Sequence, residues 1–221
     1  MNELPEAEQE RTPLPSFLRQ VARRSMPSAL EERCELCSTS LTPLHPHLLD
    51  PHQHQIICSC EACAMLFSGQ PSARYLRVPR RIRAITNFRM PDLEWESLMI
   101  PINLAFFVYD GQAHKTSAMY PSPAGAIESL LSLDSWTQIT AGHSVLGSMQ
   151  PDVEAFLVNR VTAVHEYYIV PIDECFRLVG IIRMYWRGLS GGAEVWQEIA
   201  RFFLDLKARA TEINEPEPSH A

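Results

Sequence analysis

Two Cys-x-x-Cys pairs constrain the fold of the first third of this chain more than any other feature. Cys34 and Cys37 form the first pair, Cys60 and Cys63 form the second, and 22 residues lie between the pairs. Two residues between cysteines allow one tight turn to direct both sulfurs at a single point, and two such turns make a tetrahedral thiolate cage. The spacing therefore predicts a four-cysteine metal site in a small zinc-ribbon-like module.

The donor set favours Zn²⁺, with iron as the alternative because rubredoxin-type sites use the same two turns. Iron sites of that kind usually have glycine directly after the second cysteine of each turn. Ser38 and Ala64 occupy those two places here, so zinc is preferred over an electron-carrying iron. A closed set of four protein ligands leaves no open coordination position, and we expect the site to be structural rather than catalytic.

Two further groups lie close to the second cysteine pair. Cys58 is a candidate extra or alternative ligand, although a buried small residue is the favoured interpretation. The stretch between the turns contains four histidines: His45, His47, His52 and His54. Imidazoles suit a second, looser site for Zn²⁺ or Ni²⁺. Two prolines space the rings irregularly, which favours a solvated hairpin tip instead.

Length and composition set the broad class. The 221 residues can form one domain of ordinary size and a small module, and the net charge of −7 argues against a general nucleic-acid coat. No apolar run is long enough to span a bilayer, and residues 1–8 lack the apolar core of a secretory signal. We expect a cytoplasmic protein, where paired thiols hold metal more often than they form disulfides.

Composition divides the chain into five segments. Residues 1–30, rich in Pro, Glu and Arg, are predicted to form a mobile arm, and residues 211–221 a disordered tail. Residues 31–68 form the metal module. Residues 69–91 form a basic connector, and residues 92–210 form an α+β domain.

The patterning of that domain predicts two strand pairs separated by helices. Strands are predicted over residues 102–109, 114–120, 167–172 and 176–186. Helices are predicted where apolar residues recur at i, i+3 and i+4, in Ile127–Leu131 and Val153–Leu157, and over a closing segment. The closing helix is predicted to bury Val195, Trp196, Ile199, Phe202, Phe203 and Leu206. This order indicates a zinc-ribbon module followed by an antiparallel sheet with packed helices, in the α+β class.

Six arginines follow the metal module without an acidic residue among them. They are Arg74, Arg77, Arg80, Arg81, Arg83 and Arg89. Aromatic residues interleave with them, and beside a zinc ribbon this is the strongest nucleic-acid signal in the chain. Because the rest of the chain is acidic, ion pairing within the protein is the favoured interpretation.

A second polar motif precedes the closing helix. Arg187, Ser190, Gly191 and Gly192 form a candidate anion-binding turn, since backbone N–H groups at a helix start can hold an anion. The spacing matches neither a phosphate loop nor a dinucleotide fingerprint, which favours a flexible turn. Cys175 and the remaining histidines are not paired with a base or an orienting acid. We therefore assign no catalytic residue and expect a non-enzymatic protein.

Short motifs spread over residues 33–208 carry a family resemblance. They include Cys34–Cys37, His47–Asp50, Cys58–Cys63, Leu104–Phe107, Tyr120–Ala126, Val170–Asp173 and Trp186–Gly192. With these motifs the chain resembles an uncharacterised bacterial family that is encoded near nickel-iron hydrogenase and hydrogenase-maturation genes. The resemblance implies an accessory role with a hydrogenase subunit or maturation factor as the protein partner. A nucleic-acid-binding zinc ribbon and a rubredoxin-like electron carrier are the alternatives.

Overall fold

The computed structural model describes residues 32–70, 73–129 and 133–215. The mobile arm predicted over residues 1–30 lies outside these ranges, as does the end of the predicted tail. The described residues form ten strands in two sheets, together with five α-helices and one 3₁₀ helix.

The strands are β1 (His47–Asp50), β2 (Gln55–Cys58), β3 (Leu76–Arg77), β4 (Arg83–Thr86), β5 (Leu104–Asp110), β6 (Lys115–Ser122), β7 (Gly125–Glu128), β8 (Glu154–Asn159), β9 (Glu166–Pro171) and β10 (Thr211–Asn214). The helices are α1 (Glu61–Phe67), α2 (Asp92–Ser97), α3 (Leu133–Gly142), α4 (Ile172–Tyr185) and α5 (Gly192–Arg209), with a 3₁₀ helix over Ser144–Ser148. None of these described helices combines the length and apolar character needed to cross a membrane.

The strands form a small antiparallel sheet in the order β2-β1-β3 and a seven-stranded sheet in the order β10-β4-β9-β8-β5-β6-β7. In the larger sheet only the β10–β4 pair is parallel. The metal module consists of the Cys34–Cys37 turn, β1, β2 and α1, and β3 from the predicted connector completes its small sheet. The predicted α+β class is confirmed.

Helices cover both faces of the seven-stranded sheet because its central strands are apolar on both sides. Phe106 of β5 lies opposite Leu157 of β8, and both belong to the core beneath α4 and α5. Phe107 lies opposite Phe156, and this pair belongs to the core beneath α2, α3 and the 3₁₀ helix. All four side chains are fully buried. Successive residues of a strand point to opposite faces, so one apolar run supplies two cores.

The helices predicted over Ile127–Leu131 and Val153–Leu157 are wrong where the structure describes them, and Leu130 and Leu131 lie outside the described residues. Ile127 lies in β7 opposite Tyr120 of β6, and Gly125 begins that strand with a φ of 128°, which no helix accepts. Val153 directly precedes β8, and all six residues of β8 are buried. The spacing in Val153–Leu157 misleads because β8 is buried on both faces, and such a strand contains apolar residues at every spacing, including i, i+3 and i+4. Strand β7 is instead a partly exposed edge strand, and the positive φ of Gly125 excludes a helix start there.

Conversely, the strand predicted over residues 176–186 is wrong, because Ile172–Tyr185 forms helix α4. Its buried residues are Ile172, Cys175, Leu178, Val179 and Ile182, which follow the i, i+3, i+4, i+7 spacing of one helical face. Asp173 and Glu174 lie in its first turn, where acidic side chains favour a helix. The closing helix α5 has the predicted buried face, except that Trp196 is 43% exposed.

The predicted connector and tail both contribute strands to the larger sheet. Strand β4 lies within residues 69–91, and β10 lies within residues 211–221, so the start of that tail is ordered rather than disordered. Ile85 and Ile213 are partners in the parallel pairing, and both contact the core beneath α2 and α3. Strands of four residues with only one or two apolar residues show no periodicity, and these two strands lie far apart along the chain.

Candidate metal centre

The four cysteines of the two Cys-x-x-Cys pairs come together in the metal module. Cys34 and Cys37 lie in a tight turn, in which the Ser38 N–H donates to the Cys34 carbonyl over 2.7 Å. Cys60 is the N-cap of α1, and its Sγ accepts from the N–H of Cys63 over 3.4 Å. One turn and one helix start therefore present two sulfurs each.

The separation of the sulfurs matches a tetrahedral cage. All four lie within 4.8 Å of one another, and the Sγ atoms of Cys37 and Cys60 are 3.7 Å apart. A metal with tetrahedral bonds of about 2.3 Å to sulfur has S···S edges of about 3.8 Å. A disulfide would need about 2.05 Å. The residues present thus fit one metal ion with four thiolate ligands.

The cage has an inner and an outer side. Cys34 and Cys63 are buried, whereas Cys37 is exposed. Hydrogen bonding from Thr39 lowers the pKa of the Cys37 thiol to about 6, and burial raises the pKa of the Cys63 thiol to about 12. A bound cation would remove this contrast, because a metal-bound cysteine is a thiolate.

The residue after each second cysteine does not decide between zinc and iron. Ser38 has a φ of 62°, which is the left-handed conformation that glycine adopts most readily. The turn is therefore formed without glycine. Because tetrahedral four-sulfur sets suit both zinc and iron, the donor set alone supports a metal site without naming the metal.

Cys58 is not part of this cage. It forms a separate cluster with His45 and His47, whose ligand atoms lie within 4.8 Å of one another. His54 lies in the turn of the β1–β2 hairpin with a 70% exposed side chain. The spacing of Cys58 and the histidines along the chain does not indicate that they meet. The signal that joins them is strand pairing, since Cys58 lies directly opposite His47 in the hairpin.

The metal module packs against the α+β domain. In the β1–β2 hairpin, Leu48 and Ile57 lie opposite each other and form the core of the module with Ala64. Leu49 points to the other face and belongs to the core beneath α4 and α5. The two faces of one hairpin thus join the module to the domain.

A cleft of about 990 Å³ lies along this junction. Its lining includes His45 and His47 from the metal module, and Asp173, Arg177 and Arg209 from the α+β domain. Arg177 and Arg209 both pair with Glu174 of α4 and with Asp205 of α5. The rest of the lining is largely apolar, and the charged groups of the cleft are already oriented by ion pairs.

Most of the arginine stretch is engaged within the protein. Arg74 pairs with Asp50 and Arg77 pairs with Glu61. Arg81 and Arg83 both pair with Glu154, which is fully buried in β8. Arg80 donates to the carbonyl of Leu44. Nucleic-acid binding through these residues stays a prediction, with much of their charge already neutralised.

The candidate anion-binding turn has a defined conformation. Gly191 and Gly192 have φ values of 86° and 75°, and Gly191 is the N-cap of α5. Arg187 donates to the carbonyls of Met184 and Trp186 and turns its guanidinium toward its own chain. The carbonyl of Ser190 accepts from the indole of Trp196. Anion binding at this turn likewise stays a prediction.

Cys175 is part of the core rather than a site. It lies on the buried face of α4 with no exposed surface, and burial raises its pKa well above that of an ordinary thiol. Such a thiol is inert, because the nucleophilic form is the thiolate.

Comparison with known proteins gives a family for the chain. Neither a curated protein nor a solved structure matches it. The family model that matches covers residues 33–210, which include the metal module, the connector and the α+β domain. The chain belongs to the family of unknown function DUF5947.

Proposed function

We propose that the protein is a cytoplasmic, non-enzymatic accessory protein whose zinc ribbon presents a surface to a protein partner. The observation that carries this proposal is an exposed apolar patch on α1, the helix that begins at the metal cage. Met65, Leu66 and Phe67 are consecutive in this helix and are 64%, 72% and 46% exposed. Adjacent exposed apolar side chains of this size are typical of interaction sites.

The cage explains how such a short helix can hold that patch in place. Cys60 and Cys63 lie before and within the first turn of α1. A metal bound to both, and to the Cys34–Cys37 turn, would fix the helix against the rest of the module. A closed four-thiolate set has no open position for a substrate, so its role would be to hold the surface.

The partner that we propose is a subunit of a nickel-iron hydrogenase or a factor in its maturation. The family resemblance supports this choice, because the members of that family are encoded near those genes. All six cysteines are free of disulfides, which is consistent with a reducing compartment.

Deletion of the gene in the source organism tests the proposal. We expect hydrogenase assembly and activity to fall and to be restored by the wild-type gene. Leu66→Asp should fail to restore them. Leu204→Asp is the matched control, because Leu204 is 70% exposed on α5, away from the patch. Unchanged hydrogenase activity after deletion would remove the proposed partner.

Metal analysis with an absorption spectrum tests the choice of zinc. We expect at least one zinc per chain and a colourless protein. A red protein that contains iron and loses its colour on reduction would instead support the rubredoxin-like electron carrier.

A further inference from the structure

The second cluster of possible metal ligands follows from the register of the β1–β2 hairpin. His47 and Cys58 are direct cross-strand partners, so their side chains lie on the same face. His45 lies two residues before His47, and the two rings meet edge to face at 4.9 Å. Strand geometry thus places one thiol and two imidazoles on the side of the hairpin that faces the α+β domain.

Hydrogen bonds define which nitrogen of each imidazole is free. Nδ1 of His47 lies 2.6 Å from the carboxylate of Asp173, and Nδ1 of His45 lies 2.9 Å from the carbonyl of Thr42. Both oxygens can only accept, so each Nδ1 carries the proton and each Nε2 carries the lone pair. Carboxylates and carbonyls commonly orient metal-binding histidines in this way.

His45 has no other partner for that lone pair. Its side chain is 6% exposed, and its Nε2 has no hydrogen-bond partner among the described residues. A buried polar atom without a partner destabilises the folded state. A bound cation would satisfy it.

From this arrangement we propose that His45, His47 and Cys58 form a second metal site, separate from the four-cysteine cage. Thiolate ligands favour zinc and copper(I), whereas imidazoles suit zinc, copper, iron and nickel. Zn²⁺ is the divalent ion that suits both thiolate and imidazole ligands in a reducing compartment. The site is therefore a zinc site with one sulfur and two nitrogen ligands.

This site differs from the cage in its coordination. Three protein ligands leave the fourth tetrahedral position of zinc to an exchangeable ligand such as water. His45 and His47 line the cleft of about 990 Å³, so the fourth position is reached from that cleft. The cage holds its metal with four thiolates, whereas the second site can exchange its metal or bind a small molecule. This inference does not depend on the proposed hydrogenase partner.

The backbone of Cys58 is held in place independently of any metal. Its N–H donates to the carboxylate of Glu35 over 2.8 Å, and its carbonyl accepts from the Glu35 N–H over 2.9 Å. A substitution of the thiol alone therefore leaves these bonds, and Cys58→Ser should fold.

Co²⁺ is the probe for the test, because it absorbs visible light in a tetrahedral site, whereas Zn²⁺ does not. Thiolate ligands add charge-transfer bands to the Co²⁺ spectrum. Full-length protein with zinc in its cage is titrated with Co²⁺ under reducing conditions. We expect one further equivalent of Co²⁺ to bind, with charge-transfer bands of the intensity that one thiolate ligand produces. Added azide should shift these bands, because it replaces the exchangeable ligand. Bands that do not respond to azide would contradict the open position.

Variants separate the second site from the cage. Cys58→Ser and His47→Ala should abolish the Co²⁺ bands while one zinc per chain remains, which also shows that the module is folded. His52→Ala changes an exposed histidine of the same hairpin outside the cluster, and it should bind Co²⁺ like the wild type. Absence of bands in the wild type would overturn the proposal, as would bands that persist in Cys58→Ser.

Alkylation gives a second readout that does not depend on colour. With zinc present, Cys58 of the wild-type protein should resist iodoacetamide, as measured by mass spectrometry of its peptides. In His47→Ala, Cys58 should be modified at least tenfold faster while the cage cysteines stay protected. Equal rates for Cys58 in both proteins would show that zinc does not bind it.

Discussion

The metal module and the α+β domain are stabilised in different ways, although they share one hairpin. The module has three buried apolar residues of its own, Leu48, Ile57 and Ala64, with Leu36 and Tyr75 partly buried around them. The domain has two extensive cores, one on each face of a seven-stranded sheet. A core of three residues rarely stabilises a fold without a metal or disulfides. A metal in the cage would therefore take the place of a large hydrophobic core in the module.

Loss of one cage ligand should have the largest effect. Cys60→Ser removes a thiolate and the sulfur that caps α1. Structural zinc contributes about 10 kcal/mol or more to the folding of small ribbons, so we expect the module to lose its order and its metal. Hydrogen exchange should then rise throughout α1 and β3. It should stay slow in β5 and β8, whose cores do not involve the metal.

Removal of the metal by a chelator is the matching experiment on the wild-type protein. It should reproduce the exchange pattern of Cys60→Ser. Fast exchange in β5 or β8 would show that the domain also depends on the cage. In contrast, an unchanged α1 would show that the small core is sufficient by itself.

Two leucines that are equally buried allow a direct comparison of the cores. Leu48 lies in the module and Leu157 in β8, and both are fully buried. Leu157→Ala leaves a cavity in a rigid environment and should lower the free energy of unfolding of the domain by about 4 kcal/mol. Leu48→Ala should lower the stability of the metal-bound module by about 2 kcal/mol, because few residues surround it and they can move closer. Denaturant unfolding monitored by tryptophan fluorescence reports the domain.

Equal effects of Leu48→Ala and Leu157→Ala on the domain would contradict this expectation. If Leu48→Ala destabilised the domain as strongly as Leu157→Ala, the two regions would form one cooperative unit. Leu49, which belongs to the core of the domain, is the residue through which such coupling would pass.

Substitution of Glu154 tests where the boundary between the metal module and the α+β domain lies. Its carboxylate in β8 is fully buried and accepts from Arg81, Arg83 and the N–H of Gln150. Glu154→Gln keeps the shape but leaves two arginines without their counter-ion, and we expect a loss of about 2 kcal/mol. Thermal unfolding of the domain should show it, while the metal content of the module stays unchanged.

Glu128→Gln is the control for Glu154→Gln, because Glu128 and its partner Lys115 are both exposed by about half. An exposed pair contributes less than about 1 kcal/mol, so this variant should unfold like the wild type. Loss of metal in Glu154→Gln would assign Arg81 and Arg83 to the module instead of the domain.

Sequence patterns predicted those features that depend on neighbours in the chain. The cage follows from two local turns, and α5 follows from an apolar face that repeats along eighteen residues. The strand β5, the turn at Asp110-Gly111 and β6 were likewise predictable, because a turn pair separates two apolar runs.

The features that were missed depend on contacts between distant segments. Strands β4 and β10 pair only because the folded sheet brings residues 83–86 and 211–214 together. The spacing of Val153–Leu157 indicates a helix, because burial of β8 on both faces hides the period of two. The cluster of His45, His47 and Cys58 requires the register of β1 and β2, which the cysteine spacing does not specify.

The smallest expected effect concerns Ser38, and it tests how much strain the cage turn contains. Ser38 and Asn87 both have a φ of 62°, the first in the cage turn and the second in the loop after β4. A left-handed conformation is unfavourable by about 1–2 kcal/mol for most residues, but asparagine tolerates it better. Glycine also gains entropy in the unfolded chain, which offsets part of the benefit. We therefore expect Ser38→Gly to stabilise the metal-bound module by about 0.5 kcal/mol.

Asn87→Gly is the control, and it should leave the stability of the domain unchanged or slightly lower. Exchange of α1 amides at several temperatures measures the first effect and thermal unfolding the second. A destabilised module in Ser38→Gly would mean that the Ser38 side chain contributes a contact that outweighs the strain of its backbone.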